Sequence, residues 1–122
     1  MNRQDLKNKV VRSAGKLLNE KGYVSPVDLF LEMDKLSKKD YEAWRKKQIF
    51  YLERVIKGHL NQFSFIMKVL KTYAHEQGLK PSWTAYQSWG KGQKVRLRFS
   101  KSGDPNIEKA YATHFVKPRI KK

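Results

Sequence analysis

The spacing of apolar residues changes character once along this chain, at Pro81, and that change limits the folds open to it. Before Pro81 the apolar positions recur every three or four residues, the period of a helix; after it they alternate, the period of a strand. A chain that runs helix, helix and then strand, without βαβ alternation, is expected to be an α+β domain. We expect a mainly helical core with a C-terminal antiparallel β-hairpin or small three-stranded sheet, loosely winged-helix-like. Residues 1–116 form the single basic domain of this reading and residues 117–122 a basic tail.

Leu6, Val10, Ala14 and Leu17/Leu18 share one face of a first helix, with Asn2 as N-cap and Gly22 as its left-handed end. Ser25-Pro26-Val27-Asp28 reads as cap, first-turn proline and first-turn acid, so a second short helix is expected through Met33. Ser37-Lys38-Lys39-Asp40 repeats the cap logic for a third helix that buries Tyr41 and Trp44. These two short helices have the outline of a helix-turn-helix, although Leu29-Phe30-Leu31 and Asp34 stand where that motif prefers a small residue and a glycine. The helical rhythm continues through Ile49, Leu52, Val55/Ile56, Leu60, Phe63, Ile66/Met67, Leu70 and Tyr73/Ala74. Gly58 costs about 1 kcal/mol relative to alanine inside a helix. The spacing therefore predicts one helix to about Lys57 and another, capped by Asn61, to Gln77.

Residues 82–89 and 94–100 flank Gly90-Lys91-Gly92-Gln93 and read as two antiparallel strands. In the second, Val95, Leu97 and Phe99 face one side and Lys94, Arg96 and Arg98 the other. If Gly90 pairs with Gln93, Trp89 lies beside Lys94, Gln87 beside Arg96 and Ala85 beside Arg98, while Tyr86/Leu97 and Thr84/Phe99 meet on the core side; a one-residue slip would instead put Tyr86 beside Arg96. Asp104-Pro105 starts a short helical piece to Ala110, and residues 111–116 are expected as a third strand beside the hairpin.

Charge is the second strong signal. Lys and Arg number 27 against 11 Asp and Glu, a net of +16. Residues 1–53 hold 12 basic and 8 acidic side chains, whereas residues 54–122 hold 15 and 3. Unpaired cations at this density point to a polyanionic partner. Our first expectation is a noncatalytic nucleic-acid binder, a DNA-binding regulator being one form of it. Lys38, Lys39, Arg45, Lys46, Lys47, Lys91, Lys94, Arg96, Arg98, Lys101, Lys117 and Arg119 would contact phosphates, and Trp89 or Tyr86 would stack on bases. Set against it, Trp83 and Trp89 can be plain core anchors and the cationic row a solvated face. A second expectation is an interaction protein or inhibitor that docks on an acidic protein or a ribonucleoprotein. A third is a metal-independent ribonuclease with His114 as acid or base and Arg96 or Arg98 steadying phosphoryl charge.

Other chemistry is poorly served. Zero cysteines exclude disulfides, thiolate metal sites and a cysteine nucleophile. His59, His75 and His114 lack metal-ligand spacing, and Gly90-Lys91-Gly92 is too short for a phosphate-binding loop of the nucleotide-hydrolase type. We expect no cofactor and no metal. The chain contains no apolar run of membrane length and no signal-peptide core, so a cytoplasmic protein without a membrane partner is expected. Oligomeric state leaves no mark in the sequence.

Leu79-Lys80-Pro81-Ser82-Trp83-Thr84-Ala85-Tyr86, Trp89-Gly90, Leu97-Arg98-Phe99-Ser100-Lys101-Ser102-Gly103-Asp104 and Ala110-Tyr111-Ala112-Thr113-His114-Phe115, with Tyr51-Leu52-Glu53-Arg54-Val55, resemble a family of small uncharacterised bacterial proteins. The resemblance covers most of the chain after about Gly22 and implies a bacterial or mobile-element source. It implies no activity and no catalytic residue. This chain departs from it at Arg45-Lys46-Lys47-Gln48, where a glycine-containing turn is expected, which leaves the end of the third helix open.

Overall fold

Four helix starts follow directly from local capping chemistry. In the computed structural model, which describes residues 2–118, helix α1 (Arg3–Lys21) begins where the Asn2 side chain accepts the Asp5 N–H, and ends at Gly22, φ 79°. After the two-residue strand β1 (Tyr23–Val24), α2 (Pro26–Glu32) is capped by Ser25 through Asp28 N–H at 3.1 Å. Helix α3 (Lys38–Arg45) is capped in the same way by Ser37 through Asp40 N–H at 3.0 Å. The fourth, α5 (Pro105–Ala112), has Asp104 accepting from Asn106 and Ile107 N–H. Each cap satisfies an N–H that the helix itself leaves without a partner.

Helix ends α2 and α3 are closed by non-glycine residues in the left-handed region. Asp34 (φ 62°) lets Lys35 N–H reach back to Phe30 O at 2.9 Å, and Lys47 (φ 65°) lets Gln48 N–H reach Ala43 O at 2.9 Å. These are glycine-type helix closures built without glycine. The end of α3 is thereby set at Arg45, and Lys47 takes the conformation a glycine there would supply.

The helix expected to reach Lys57 does not form. Ile49 to Lys57 is irregular apart from a single 3-10 turn, Leu52–Arg54. The reason is a competing set of acceptors: Leu52 N–H bonds Arg98 O at 3.2 Å and Glu53 N–H bonds Phe99 O at 2.9 Å, which takes both donors away from a helix. Ile49, Val55 and Ile56 are also weak helix formers. Helix α4 (Leu60–Glu76) starts two residues earlier than an Asn61 cap would place it. His59 is the cap, its Nδ1 accepting from Gln62 N–H.

The sheet is three-stranded and antiparallel, ordered β1-β3-β2, with β2 at Lys80–Trp83 and β3 at Thr113–Val116. The domain is α+β, as expected, and strand β3 does lie beside the first strand of the expected hairpin, pairing Ser82 with His114 and Trp83 with Thr113; its other neighbour, β1, was not expected and pairs Tyr23 with Val116 and Val24 with Phe115. Strand β2 stops at Trp83 instead of running to Trp89, and α5 extends through Tyr111 and Ala112 before β3 begins. Lys117 N–H also bonds Gly22 O at 2.9 Å, so backbone pairing runs one residue past the expected domain boundary at 116.

Helix α1 packs its Leu6-Val10-Ala14-Leu17 stripe against α2 and α4, around fully buried Phe30, Leu29, Met33, Leu36, Ile66 and Leu70. An aromatic chain then joins this core to the C-terminal part. Phe63 meets Phe30 at 5.7 Å, Phe30 meets Tyr111 at 6.3 Å, Tyr111 stacks on Phe99 at 5.5 Å, and Phe99 meets Trp44 at 5.3 Å. Burial of each ring contributes about 1.5–3 kcal/mol, and the ring pairs add to it.

Candidate nucleic-acid interface

Between β2 and β3 the chain leaves the sheet and returns. Residues 84–104 form a ribbon in the first of the two registers left open by the sequence, Gln87 opposite Arg96, with Leu97 N–H to Tyr86 O and Ser88 N–H to Val95 O both at 2.8 Å. The turn uses glycines where backbone geometry demands them, Gly90 at φ 114° and Gly92 at φ 96°. A regular hairpin was expected, yet a single bridge forms among the described residues. Ser88 Oγ takes the Val95 N–H at 3.0 Å, and beyond Leu97 the carbonyls turn toward other partners. Arg98 O accepts from the Trp44 indole N–H at 2.8 Å and from Leu52, while Phe99 O accepts from Glu53. Leu97 and Phe99 are buried as the alternation requires; Val95 and Thr84, expected on the same side, are exposed.

The nearby carboxylates are used to hold this loop. Glu108 accepts from Phe99 N–H at 2.9 Å, Ser100 N–H at 2.7 Å and the Ser100 hydroxyl at 2.6 Å. Glu53 accepts from Lys101 N–H at 3.0 Å and from the Tyr111 hydroxyl at 2.7 Å. Burial and the Glu53 carboxylate together push the Tyr111 phenol well above its usual range. Two of the acids closest to the basic loop thus bind backbone donors and hydroxyls. Among the described residues the ion pairs are Lys16–Glu32 at 3.1 Å and Lys21–Asp28 at 3.5 Å, both within the N-terminal part. The cations of the C-terminal half have no carboxylate partner there.

Those cations differ in what they do. The Arg96 guanidinium lies 4.8 Å over the Trp83 ring. Arg98 Nε donates to Ser100 O at 2.8 Å and its Nη2 to Lys101 O, and a side chain at Gly103 would meet that guanidinium at 3.1 Å. Arg98 therefore staples the 100–103 turn. Lys94 Nζ donates to Gly90 O at 2.9 Å across the ribbon turn, leaving its charge at the surface with Lys91 and Lys101, which are exposed. Arg45 sits among Trp89, Tyr86 and Tyr41, with its carbon Cζ at 5.0, 5.3 and 6.0 Å from the ring centres. Its carbonyl accepts the Trp89 N–H at 2.7 Å, which locks the ribbon to the end of α3, next in the chain to exposed Lys46 and Lys47.

The three tryptophans fill three roles. Trp44 is fully buried against Tyr41, Tyr86 and Phe99. Trp89, 42% exposed, is engaged by Arg45 and by the Tyr41 edge at 5.9 Å. Trp83 is 49% exposed and, among the described residues, packs against no other ring. Tyr86 is buried, so it offers no face for a base.

Lys38 and Lys39 are exposed at the start of α3, one helix length of about 10 Å from Lys46. Lys117 lies beside the Lys80 end of the sheet, about 10 Å along β2 from Trp83. Arg119 lies outside the described residues. His114 is half-buried, stacked on Tyr23 at 5.4 Å and hydrogen-bonded to the Tyr86 hydroxyl at 3.1 Å. Burial lowers its pKa.

Two groups were missed in the sequence. Trp83 and Lys109 line an open groove of about 920 Å³ together with Arg96, Arg98, Ser102 and Gly103. For Lys109 the sequence trace was its place after the Asp104-Pro105 helix start; for Trp83 the alternating sequence held no mark that separates it from Trp89. Arg3, Lys7 and Lys68 meet across the α1–α4 groove, where Arg3 lies 5.1 Å over Phe65; the four-residue spacing of Arg3 and Lys7 was its trace. Among the described residues no helix is long and apolar enough to cross a membrane. Comparison with known protein families, with curated proteins and with solved structures finds no match, so the bacterial-family resemblance rests on the motifs quoted above.

Proposed function

We propose that this protein is a noncatalytic nucleic-acid binder that uses the 84–104 ribbon and the end of α3 as its contact surface. One observation carries the reading: Glu53 and Glu108 are engaged by backbone N–H groups and hydroxyls, while Lys91, Lys94, Arg96 and Lys101 of the ribbon and Lys109 of α5 form no ion pair among the described residues. A basic surface left unneutralised in this way costs self-repulsion, which an oligoanion offsets. Phosphates satisfy it by displacing counterions, and this makes affinity fall steeply with salt.

The test is a fluorescence-anisotropy titration of labelled duplex DNA, single-stranded DNA and RNA at several salt concentrations. Four or five phosphate contacts give a log-log slope of roughly −3 to −5 at about −0.7 to −0.9 per contact. Lys91→Ala with Lys101→Ala should weaken binding and reduce the slope by about two contacts, with an unchanged circular dichroism spectrum. Absence of binding to all three, or an affinity indifferent to salt, overturns the proposal. Nucleic acid displaced as readily by polyglutamate of equal charge also overturns it, in favour of docking on an acidic protein.

A further inference from the structure

Within the binding reading above, on which this step rests, we infer that the groove between β2 and α5 takes an unpaired nucleotide, with Trp83 as the stacking platform. The argument begins with the faces available. Trp44 is enclosed and Trp89 is held by Arg45 and Tyr41, whereas Trp83 has Arg96 on its ring and no aromatic neighbour among the described residues. Its position is as suited as its exposure. Residue 83 ends the edge strand β2, all of whose residues are exposed, and its backbone is fixed by pairing with Thr113. A guanidinium laid at 4.8 Å over the indole orders the ring before any ligand arrives and adds cation–π attraction.

Geometry then selects the strand state. Bases inside a duplex are stacked on one another and present only their edges in the grooves, so an indole face has nothing to pair with there. An unpaired base offers its whole π-face, and stacking of this kind tolerates any sequence. The same groove is lined by Arg96 and Lys109, cations within reach of the phosphates on either side of a stacked base, while Arg98 beside them is held by the 100–103 turn. Its carboxylate, Glu108, is occupied by three donors from Phe99 and Ser100.

The experiment compares twelve-nucleotide oligo(dT), oligo(U) and a twelve-base-pair blunt duplex at one salt concentration, with tryptophan fluorescence and anisotropy as readouts. The single strands should bind about tenfold or more tighter than the duplex and quench tryptophan emission. Trp83→Ala should weaken single-strand binding about ten- to a hundredfold while duplex affinity stays within twofold; Trp83→Phe should retain most of it. Trp83 is half-exposed, and thermal melts of both variants check that the fold persists. Duplex binding as tight as single-strand binding, or an equal loss of both in Trp83→Ala, overturns this inference and leaves the general binding reading standing. Failure of every probe to bind overturns both.

Discussion

Glu108→Gln tests how the basic loop is held. The carboxylate accepts three donors, from Phe99 N–H, Ser100 N–H and the Ser100 hydroxyl, at 2.9, 2.7 and 2.6 Å. Glutamine keeps the shape but replaces one oxygen by an NH2 group, a donor facing donors. Whichever way the amide turns, at least one backbone N–H loses its acceptor, at about 1–3 kcal/mol. The surviving bonds lose their charge assistance, about 1 kcal/mol more in this half-exposed place. The expected cost is about 2–4 kcal/mol, a large share of the roughly 6–18 kcal/mol available to a domain of this size. At roughly 4 °C per kcal/mol, the melting temperature should fall by about 8–16 °C. A different account, in which Glu108 merely offsets neighbouring cations, gives a smaller loss that salt abolishes. Thermal melts by circular dichroism in about 50 mM and about 500 mM sodium chloride separate the two, since half a molar salt screens beyond a few ångströms. A drop under about 2 °C, or one that vanishes in the higher salt, would refute the clamp.

Lys47→Gly should stabilise the protein by about 0.5–1 kcal/mol, because a left-handed φ of 65° costs a side chain roughly 1–2 kcal/mol, part of which glycine's freedom in the unfolded chain returns; a urea midpoint that falls would contradict it. Arg98→Ala should destabilise by about 1–2 kcal/mol through loss of the bonds to Ser100 and Lys101 carbonyls, whereas Arg96→Ala should leave stability within about 0.5 kcal/mol. Equal melting temperatures for the two would remove the distinction between staple and contact. His114 has a folded pKa below its ordinary value of 6.5, so the unfolded chain takes up its proton first as pH falls. Its contribution is complete above about pH 6.5 and is lost as the pH drops toward the folded pKa; denaturation at pH 7.5 and 5.5 should therefore show a larger decline for the wild type than for His114→Gln.

What could be read from the sequence was what is local. Asn2, Ser25, Ser37 and Asp104 cap their own helices through donors two or three residues away, and Gly22 closes α1 within one turn. The short glycine turn narrowed the ribbon to two registers one residue apart, and the structure adopts the one with Gln87 opposite Arg96. Illegible were the interactions set by residues far apart in the chain. The segment around Leu52 has a helical apolar spacing, yet its N–H groups are taken by Arg98 and Phe99 carbonyls. The third strand was foreseen beside the hairpin, where it pairs with Ser82 and Trp83, but its other neighbour was not, because pairing with Tyr23–Val24 spans most of the chain. Trp83 and Trp89 both stand in alternating strand-like sequence; only the approach of α3, with Arg45 and Tyr41, occupies one and leaves the other open. Arg98, grouped with Arg96 by spacing, belongs instead to the turn it bonds.

These placements bear on why so basic a loop folds at all. Residues 99–103 carry several backbone donors near the surface, and an ordinary solution would pair the loop's cations with acids, fixing it by salt bridges of small individual worth. Here the acids bond the backbone and a hydroxyl instead, with shorter, charge-assisted contacts that order the loop directly. The arrangement separates two tasks that an ion pair would merge. Glu53 and Glu108 hold the chain, Arg98 closes the turn, and Arg96, Lys101 and Lys109 form no ion pair among the described residues. It follows that neutralising a holding acid and neutralising a free lysine must have opposite profiles: the first lowers stability in a salt-resistant way, the second lowers affinity in a salt-sensitive way. A lysine variant that behaved like Glu108→Gln would mean that holding and binding are not separate in this loop.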